Sequence, residues 1–344
     1  MRRDGAIAAW LLACCALVIG MIVVGGITRL THSGLSIVEW QPLIGAIPPL
    51  TEADWQLLFE KYQQTPEYQQ VNAGMGLEGF KGIFWWEYIH RLLGRLIGVA
   101  FFVPYLWFLA RRAIRGALAW KLAGIFVLGG LQGAMGWYMV KSGLVDDPRV
   151  SHFRLTAHLA LAFLILAAML WVALDLLSPR ARVVLDRRVR KALRMARGVV
   201  FLVFLMVLTG GLVAGLRAGK AYNTFPLMNG HWIPPEILQL DPWWMNLFWN
   251  VATVQFDHRL GAWLLALFVP WLWLRCRAAP DDAQFASSVL LFLVALQIGL
   301  GIATLLLRVP VELGVAHQGT ASLVLCAAVW TMHALKGPVR NWTD

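Results

Sequence analysis

Along the chain the apolar residues come in long unbroken runs rather than at the spacing of a half-buried surface. Ala6–Ile27, Leu159–Leu177, Val199–Leu216 and Ala262–Leu274 are almost free of charge, and roughly 20 such residues span a bilayer as a helix. The runs predict eight spans, near 6–28, 87–110, 120–140, 154–177, 198–217, 255–274, 285–307 and 313–335. Between them lie outward connections at 29–86, 141–153 and 218–254, and a brief outward turn around Arg308–Glu312. In the first long connection, Thr51 and Asp54 have the spacing of a capping box, and Trp55, Leu58, Phe59 and Tyr62 recur at helical period. That pattern predicts an amphipathic helix lying on the membrane surface. Trp85-Trp86 and Trp243-Trp244 are aromatic belts where the long connections re-enter.

Composition agrees with this reading. The 344 residues are 59% hydrophobic and 14% charged, with a mean hydropathy of +0.63, which excludes an ordinary soluble enzyme. The net charge of +11 raises nucleic acid as a partner, but its distribution argues against one. Lys and Arg gather at Arg2–Arg3, Arg111–Lys121, Arg180–Arg197, Arg275/Arg277 and Lys336/Arg340, alternating with more acidic connections. The positive-inside rule reads this as topology, with both termini cytoplasmic. The first span continues well past Cys14, so it reads as a retained helix rather than a signal peptide. Cys14, Cys15, Cys276 and Cys326 fall in spans or at a cytoplasmic end and read as small apolar residues.

The two halves of the chain repeat each other. Gly25-Gly26 at the end of span one matches Gly210-Gly211 in span five, and Glu87–Arg91 matches Gln255–Arg259. Likewise Gln132–Gly136 matches Gln297–Gly301, and Thr156-Ala157-His158 matches Val315-Ala316-His317. The offset between matched residues drifts only from 185 to 159. A duplicated four-helix unit follows, with residues 1–177 as one bundle, 178–197 as a basic cytoplasmic linker and 198–344 as the second bundle. Each unit has an even number of spans, so the copies share one orientation about an axis along the membrane normal. The expected fold is all-α and polytopic, with two pseudo-symmetric four-helix bundles.

The duplication singles out four of the eight histidines: His90, His158, His258 and His317 each lie near the outer start of an even-numbered span. Ionisable groups inside spans are costly and mark bundle interiors or sites. Zinc would need more ligands than two histidines, whereas haem needs only axial ones because the porphyrin supplies four nitrogens. Gly94, Ala162, Gly261/Ala262 and Thr320/Ala321 follow the histidines on the same faces and leave room for a flat macrocycle. Arg91, Arg95 and Arg259 are candidates for its propionates, or else cations snorkelling to the interface. Thr28, Arg29, Gln132 and Gln297 could hydrogen-bond it, and the two glutamines could equally bond helix to helix. Glu87 stands one turn before His90, where the other half has Gln255, so one half alone carries a proton acceptor. The alternative for Glu87 is an ion pair with Lys81 or Arg91. His32, His152, His231 and His333 read as loop or interfacial residues.

These motifs together resemble the haem A synthase family. The resemblance rests on Gly25–Ser36, Trp40–Pro49, Glu87–Arg91, Phe256–Arg259 and Ala316–Thr320, and covers nearly the whole chain. It implies conversion of haem O to haem A for cytochrome oxidase, by successive hydroxylation of the C8 methyl group to a formyl group. By that resemblance His90 and His158 hold haem O and haem A, His258 and His317 hold haem b, and Glu87 is the essential acid. It also implies a bacterial inner-membrane protein with its histidines toward the periplasm, haem O delivered by haem O synthase, and a separate electron donor. The outward cysteine pair of some members is missing, which places the chain with the class shared by alphaproteobacteria and mitochondria. Membrane lipid is an expected partner and nucleic acid is not; the oligomeric state, including a homo-oligomer, is left open. Two other readings fit the histidines. One is a dihaem b-type protein passing electrons from quinol without modifying haem; the other is a transporter of parallel repeats with a site at the midplane.

Overall fold

In the computed structural model, which describes residues 3–41, 44–144, 148, 150–178 and 186–336, the described residues form helices and no strand. In chain order these are α1 (Arg3–Leu30), α2 (Glu52–Gln63), α3 (Pro66–Gln70), α4 (Leu77–Ala110), α5 (Gly116–Gly143) and α6 (His152–Leu177). They continue with α7 (Arg187–Gly215), α8 (Asn246–Trp249), α9 (Val251–Cys276), α10 (Asp281–Leu306) and α11 (Val311–Ala334). Eight are long and apolar enough to cross a membrane: α1, α4, α5, α6, α7, α9, α10 and α11. Each coincides with one of the expected spans. Two begin well outside them. α4 starts at Leu77, so its first three turns stand beyond the expected membrane entry, and α7 starts at Arg187, inside the stretch read as a linker. Part of the expected linker, 179–185, lies outside the described residues.

The surface helix α2 forms as its sequence dictates, but its apolar face is not laid on a membrane. Thr51 Oγ1 accepts from Asp54 N–H at 3.2 Å, and the Asp54 carboxylate accepts from Thr51 N–H at 3.0 Å. The stripe Trp55, Phe59 and Tyr62 is buried against Phe80, Phe84 and Tyr88 of α4. The outward extension of α4 supplies the partner that the sequence pattern assigned to lipid. Tyr62 and Phe80 stack at 5.2 Å, and Trp55 meets Phe84 edge-on at 4.9 Å, geometries that add to area burial.

Within the first half α1 packs on α4 and α6, and α5 packs on α6; within the second, α7 packs on α9 and α11, and α10 on α11. Between the halves α1 meets α11, α7 meets α6, and α6 meets α11. Exchanging the halves turns the first of these contacts into the second and returns the third to itself, so the packing is compatible with a pseudo-symmetric pair of bundles. The apolar core, with Leu11, Leu166, Val199, Leu290 and Leu325 nearly or fully buried, lies toward the end away from the long loops. Since lipid is as apolar as leucine, close packing holds helices together there. Toward the loop end the interior turns polar, and that is where the four histidines are.

Candidate haem sites

Each histidine backs onto a glycine of the membrane-crossing helix before its own in the chain. A Cβ added to Gly25 of α1 would lie 3.2 Å from His90 Nε2, and one on Gly136 of α5 would lie 3.1 Å from His158 Cε1. In the second half Gly210 of α7 stands in the same relation to His258 at 3.3 Å, and Gly301 of α10 to His317 at 2.9 Å. Only a residue without Cβ lets the ring sit this close to the neighbouring helix. The second glycine of each Gly-Gly pair faces the opposite half. A Cβ on Gly26 would meet Gln318 Nε2 of α11 at 3.2 Å, and one on Gly211 would meet Thr156 Oγ1 of α6 at 2.7 Å. The repeated Gly-Gly therefore sets both the histidine seat and the seam between halves.

The sequence assigned the roomy positions elsewhere, to residues following the histidines on their own helices. Gly94 and Gly261 are instead covered by methionines: a Cβ on Gly94 would lie 3.0 Å from Met21 Cε, and one on Gly261 would overlap the Met206 sulfur. Met21 and Met206 are themselves repeat equivalents. The glycines that touch the rings went unread, although the signal was present in the same quoted motifs.

The histidine pairs converge. The rings of His258 and His317 lie 6.4 Å apart, centroid to centroid, at 74°. An imidazole–metal bond is about 2 Å long, so two rings at that separation can share one metal atom. His90 and His158 lie within electrostatic reach of each other. All four rings sit deep in the protein yet keep part of their surface accessible, as side chains lining an internal groove do. Gln132 Nε2 is 3.4 Å from His158 Nε2, and Gln297 Nε2 is 3.4 Å from His317 Nε2. His158 Nδ1, His317 Nδ1 and the side-chain oxygens of both glutamines are buried without partners. Buried polar groups are normally satisfied, so matched orphans in both halves fit a bound polar group at each site. Among the described residues no three or more His, Cys, Asp or Glu gather as a metal site. Two-histidine sites of this kind fit haem, which brings its own equatorial nitrogens. His258 differs from the rest, because its Nδ1 lies 2.9 Å from Thr209 Oγ1; the repeat places Val24 there in the other half.

The arginines expected at propionates are committed to the loops. Arg91 donates to the carbonyls of Ile37 at 2.9 Å and Glu39 at 3.2 Å, and lies over the Trp40 ring at 5.4 Å. Arg95 Nη2 donates to Gln41 O at 2.9 Å. Arg259 repeats the device on Tyr222 O and Thr224 O, each at 2.9 Å. Its Nε, like that of Arg29, is buried without a partner. Thr28 Oγ1 donates to Val24 O at 2.9 Å within α1, and Arg29 Nη2 reaches Ala214 O at 3.5 Å, across the seam.

Glu87 is 2% exposed and bonded on both oxygens. Oε1 accepts from Arg91 Nη2 at 2.6 Å and Nε at 3.0 Å; Oε2 accepts from Ser36 Oγ at 2.8 Å and Ile37 N–H at 2.9 Å. Of its two expected ion-pair partners Arg91 is the real one, since Lys81 pairs with Glu78 at 2.9 Å. Gln255 holds the equivalent place with its polarity reversed. Its Nε2 donates to Ala218 O at 2.9 Å while Oε1 accepts from Arg259 at 3.2 Å. The first loop offers Glu87 donors and the second offers Gln255 acceptors, which accounts structurally for acid in one half and amide in the other.

Of the remaining histidines, His231 is exposed in a loop and His152 is buried at the start of α6 against Trp249, their rings 4.4 Å apart. His333 Nε2 lies 3.1 Å from Asp175 Oδ1. A further buried acid carries no motif in the sequence: Glu67 is 5% exposed and its Oε2 is buried without a partner. A cavity of about 500 Å³, lined by Met228, Trp232, Phe256, Arg259 and Trp263 among others, lies under the second loop and touches none of the four histidines.

Comparison with known proteins places this geometry in a family. Residues 8–329 match the family model described as cytochrome oxidase assembly protein. The chain is 61% identical to the haem A synthase of Nitrosospira multiformis over 332 residues, 96% of this chain and 93% of that one. It is 56% identical to that of Nitrosomonas eutropha with the same coverage. It is 52% identical to that of Paramagnetospirillum magneticum, covering 97% of this chain and 94% of that one. With four histidines seated on four glycines in two matched pairs, and this likeness along almost its full length, the chain belongs to the haem A synthase family.

Proposed function

We propose that the chain oxidises the C8 methyl group of haem O to a formyl group, giving haem A, and that the two halves divide the work. The N-terminal half, 1–177, is the substrate site, with haem O held by His90 and His158. The C-terminal half, 198–344, holds a resident haem b through His258 and His317. Bound there, haem b supplies a one-electron redox centre.

The observation that carries this division is Glu87. In a repeat that matches histidine for histidine and glycine for glycine, it puts a carboxylate one turn from His90 where the other half has an amide. Held by Arg91, Ser36 and Ile37, it fixes negative charge beside the N-terminal site. A fixed carboxylate stabilises positive charge that develops as a methyl group is oxidised, and a buried site makes that effect stronger. The arginine–carbonyl bonds close the loops over both sites and exclude water. Gln132 and Gln297 orient His158 and His317. The loop end faces the periplasm of a bacterial inner membrane, haem O arrives from haem O synthase, and a separate donor supplies electrons.

The test is to express the chain with a source of haem O, extract the haem and identify it by mass. Haem A is the expected product. Haem b alone, at two per chain, would favour electron transfer without haem modification, and colourless protein would reject both.

A further inference from the structure

Glu87 has both oxygens occupied: they accept four hydrogen bonds, two of them from the Arg91 guanidinium. Another buried carboxyl stands close by. Glu67 lies in the first turn of α3, in the loop that covers the N-terminal site, and one of its oxygens has no partner. The charged and titratable groups it senses come from the three helices around it: Arg29 on α1, Tyr62 on α2 and Glu87 on α4. Arg29 and Glu67 make no ion pair within 4 Å, and Arg29 Nε is itself a buried orphan. Fully buried Tyr62 accepts from the amide of half-exposed Asn72 at 2.7 Å. Asn72 also donates its backbone N–H to the Glu67 carbonyl at 3.0 Å, so the buried carboxyl sits within one short helix of the partly exposed Val71–Asn72 end of the loop.

From this arrangement we propose that Glu67 is the proton-exchanging carboxyl of the N-terminal site. It is neutral at rest, and it ionises to balance positive charge created there by oxidation. The step breaks the Glu67 O–H bond. The electron pair stays on the carboxylate, and the proton passes to water at the loop surface, at the partly exposed end of α3. Glu67 moves only this proton and no electron; the oxidant is the oxygen donor of the methyl hydroxylation, such as dioxygen reduced with electrons from the separate donor. Burial and the nearby Glu87 charge push the Glu67 carboxyl up to about 8, against the smaller opposing effect of Arg29. Tyr62, pushed up to about 12 by burial, stays neutral and adds no competing charge. Nothing in the second half corresponds, because that loop has no helix like α3 and packs only a small cluster of Tyr222, Met228 and Ala252. The inference rests on the N-terminal half being the substrate site.

Infrared spectroscopy of the full-length protein in detergent, titrated across pH 8, tests it directly. The protein should show a protonated-carboxyl band that disappears with a midpoint near 8, and Glu67→Gln should lack that band while melting as a folded protein. Haem O conversion should fall in the same alkaline range, and in Glu67→Gln it should be at least about tenfold slower with no alkaline limb. A band that persists in Glu67→Gln, or conversion with an unchanged pH profile, would overturn the proposal. His90→Ala separates the two ideas. If it still converts haem O, the placement of the substrate site is wrong; if it does not, and Glu67→Gln behaves like the unmodified protein, only the role of Glu67 is.

Discussion

The two halves of this protein share a scaffold and differ in what covers it. Both seat their histidines on glycines of the preceding helix, and both use an arginine four residues after a polar residue to pin a long loop. In the first half that loop brings an aromatic core, two helices and a buried carboxyl, Glu67, which joins Glu87 of α4. In the second it brings short turns, a cavity and no buried acid among the described residues. On the proposed division, the duplicated scaffold serves binding in both halves and the first loop adds the chemistry, so it is the difference between the repeats, rather than their likeness, that the experiments below probe.

Making the halves alike should break function most. Glu87→Gln removes the fixed charge and faces Ser36 and Ile37 with an amide that can also donate. Haem O conversion should fall by about 10²-fold or more, with haem still bound, as pigment analysis would show. The reverse change, Gln255→Glu, points a carboxylate at Ala218 O and Tyr222 O. It should cost about 1–3 kcal/mol of stability, seen as a lower melting temperature with conversion largely intact if the second loop only covers.

The seam between halves should respond unequally. At Gly211 an added methyl group would lie 3.0 Å from the Thr156 Cα, so backbone has to move, whereas at Gly26 it meets the end of the Gln318 side chain. Gly211→Ala should therefore destabilise by about 1–3 kcal/mol and Gly26→Ala by less, in parallel thermal unfolding curves. Equal losses would mean that the seam is symmetric in energy as well as in contacts.

A smaller effect belongs to Thr209, whose hydroxyl orients His258 and leaves Nε2 as the nitrogen open to metal. If the second half holds haem b as proposed, Thr209→Val should shift that haem's reduction potential while leaving the first half's absorption unchanged. Smallest is a pH effect on stability. The Glu67 carboxyl is raised from 4.5 to about 8 by burial, so the stability linked to its neutral form is complete below the lower value and lost as pH rises through the higher. Glu67→Gln should therefore gain on the unmodified protein between those limits, measured as the difference in melting temperature.

Much of this was legible in the sequence, for physical reasons. The spans, the duplication and the paired histidines follow from hydropathy and from polar residues that a membrane tolerates only at sites. The α2 capping box was also readable, since it is local. What its helix packs on was not, because an apolar stripe looks the same whether it meets lipid or Phe80 and Phe84. That Arg91 and Arg259 also bond loop carbonyls was not readable, because backbone carbonyls carry no side-chain signature. Glu67 was invisible for a similar reason: in Thr65-Pro66-Glu67 it looks like an ordinary acid at a helix start, and only the folded loop buries it. The seating glycines stood in the repeat motifs, but periodicity along one helix cannot say which neighbour a missing Cβ lets in.

The division of labour between the halves is most directly tested by haem extraction from two variants made in the same background. His90→Ala should still bind haem b and yield no haem A, and His258→Ala should lose the haem b. Haem A formed by His90→Ala, or haem b retained by His258→Ala, would contradict the account.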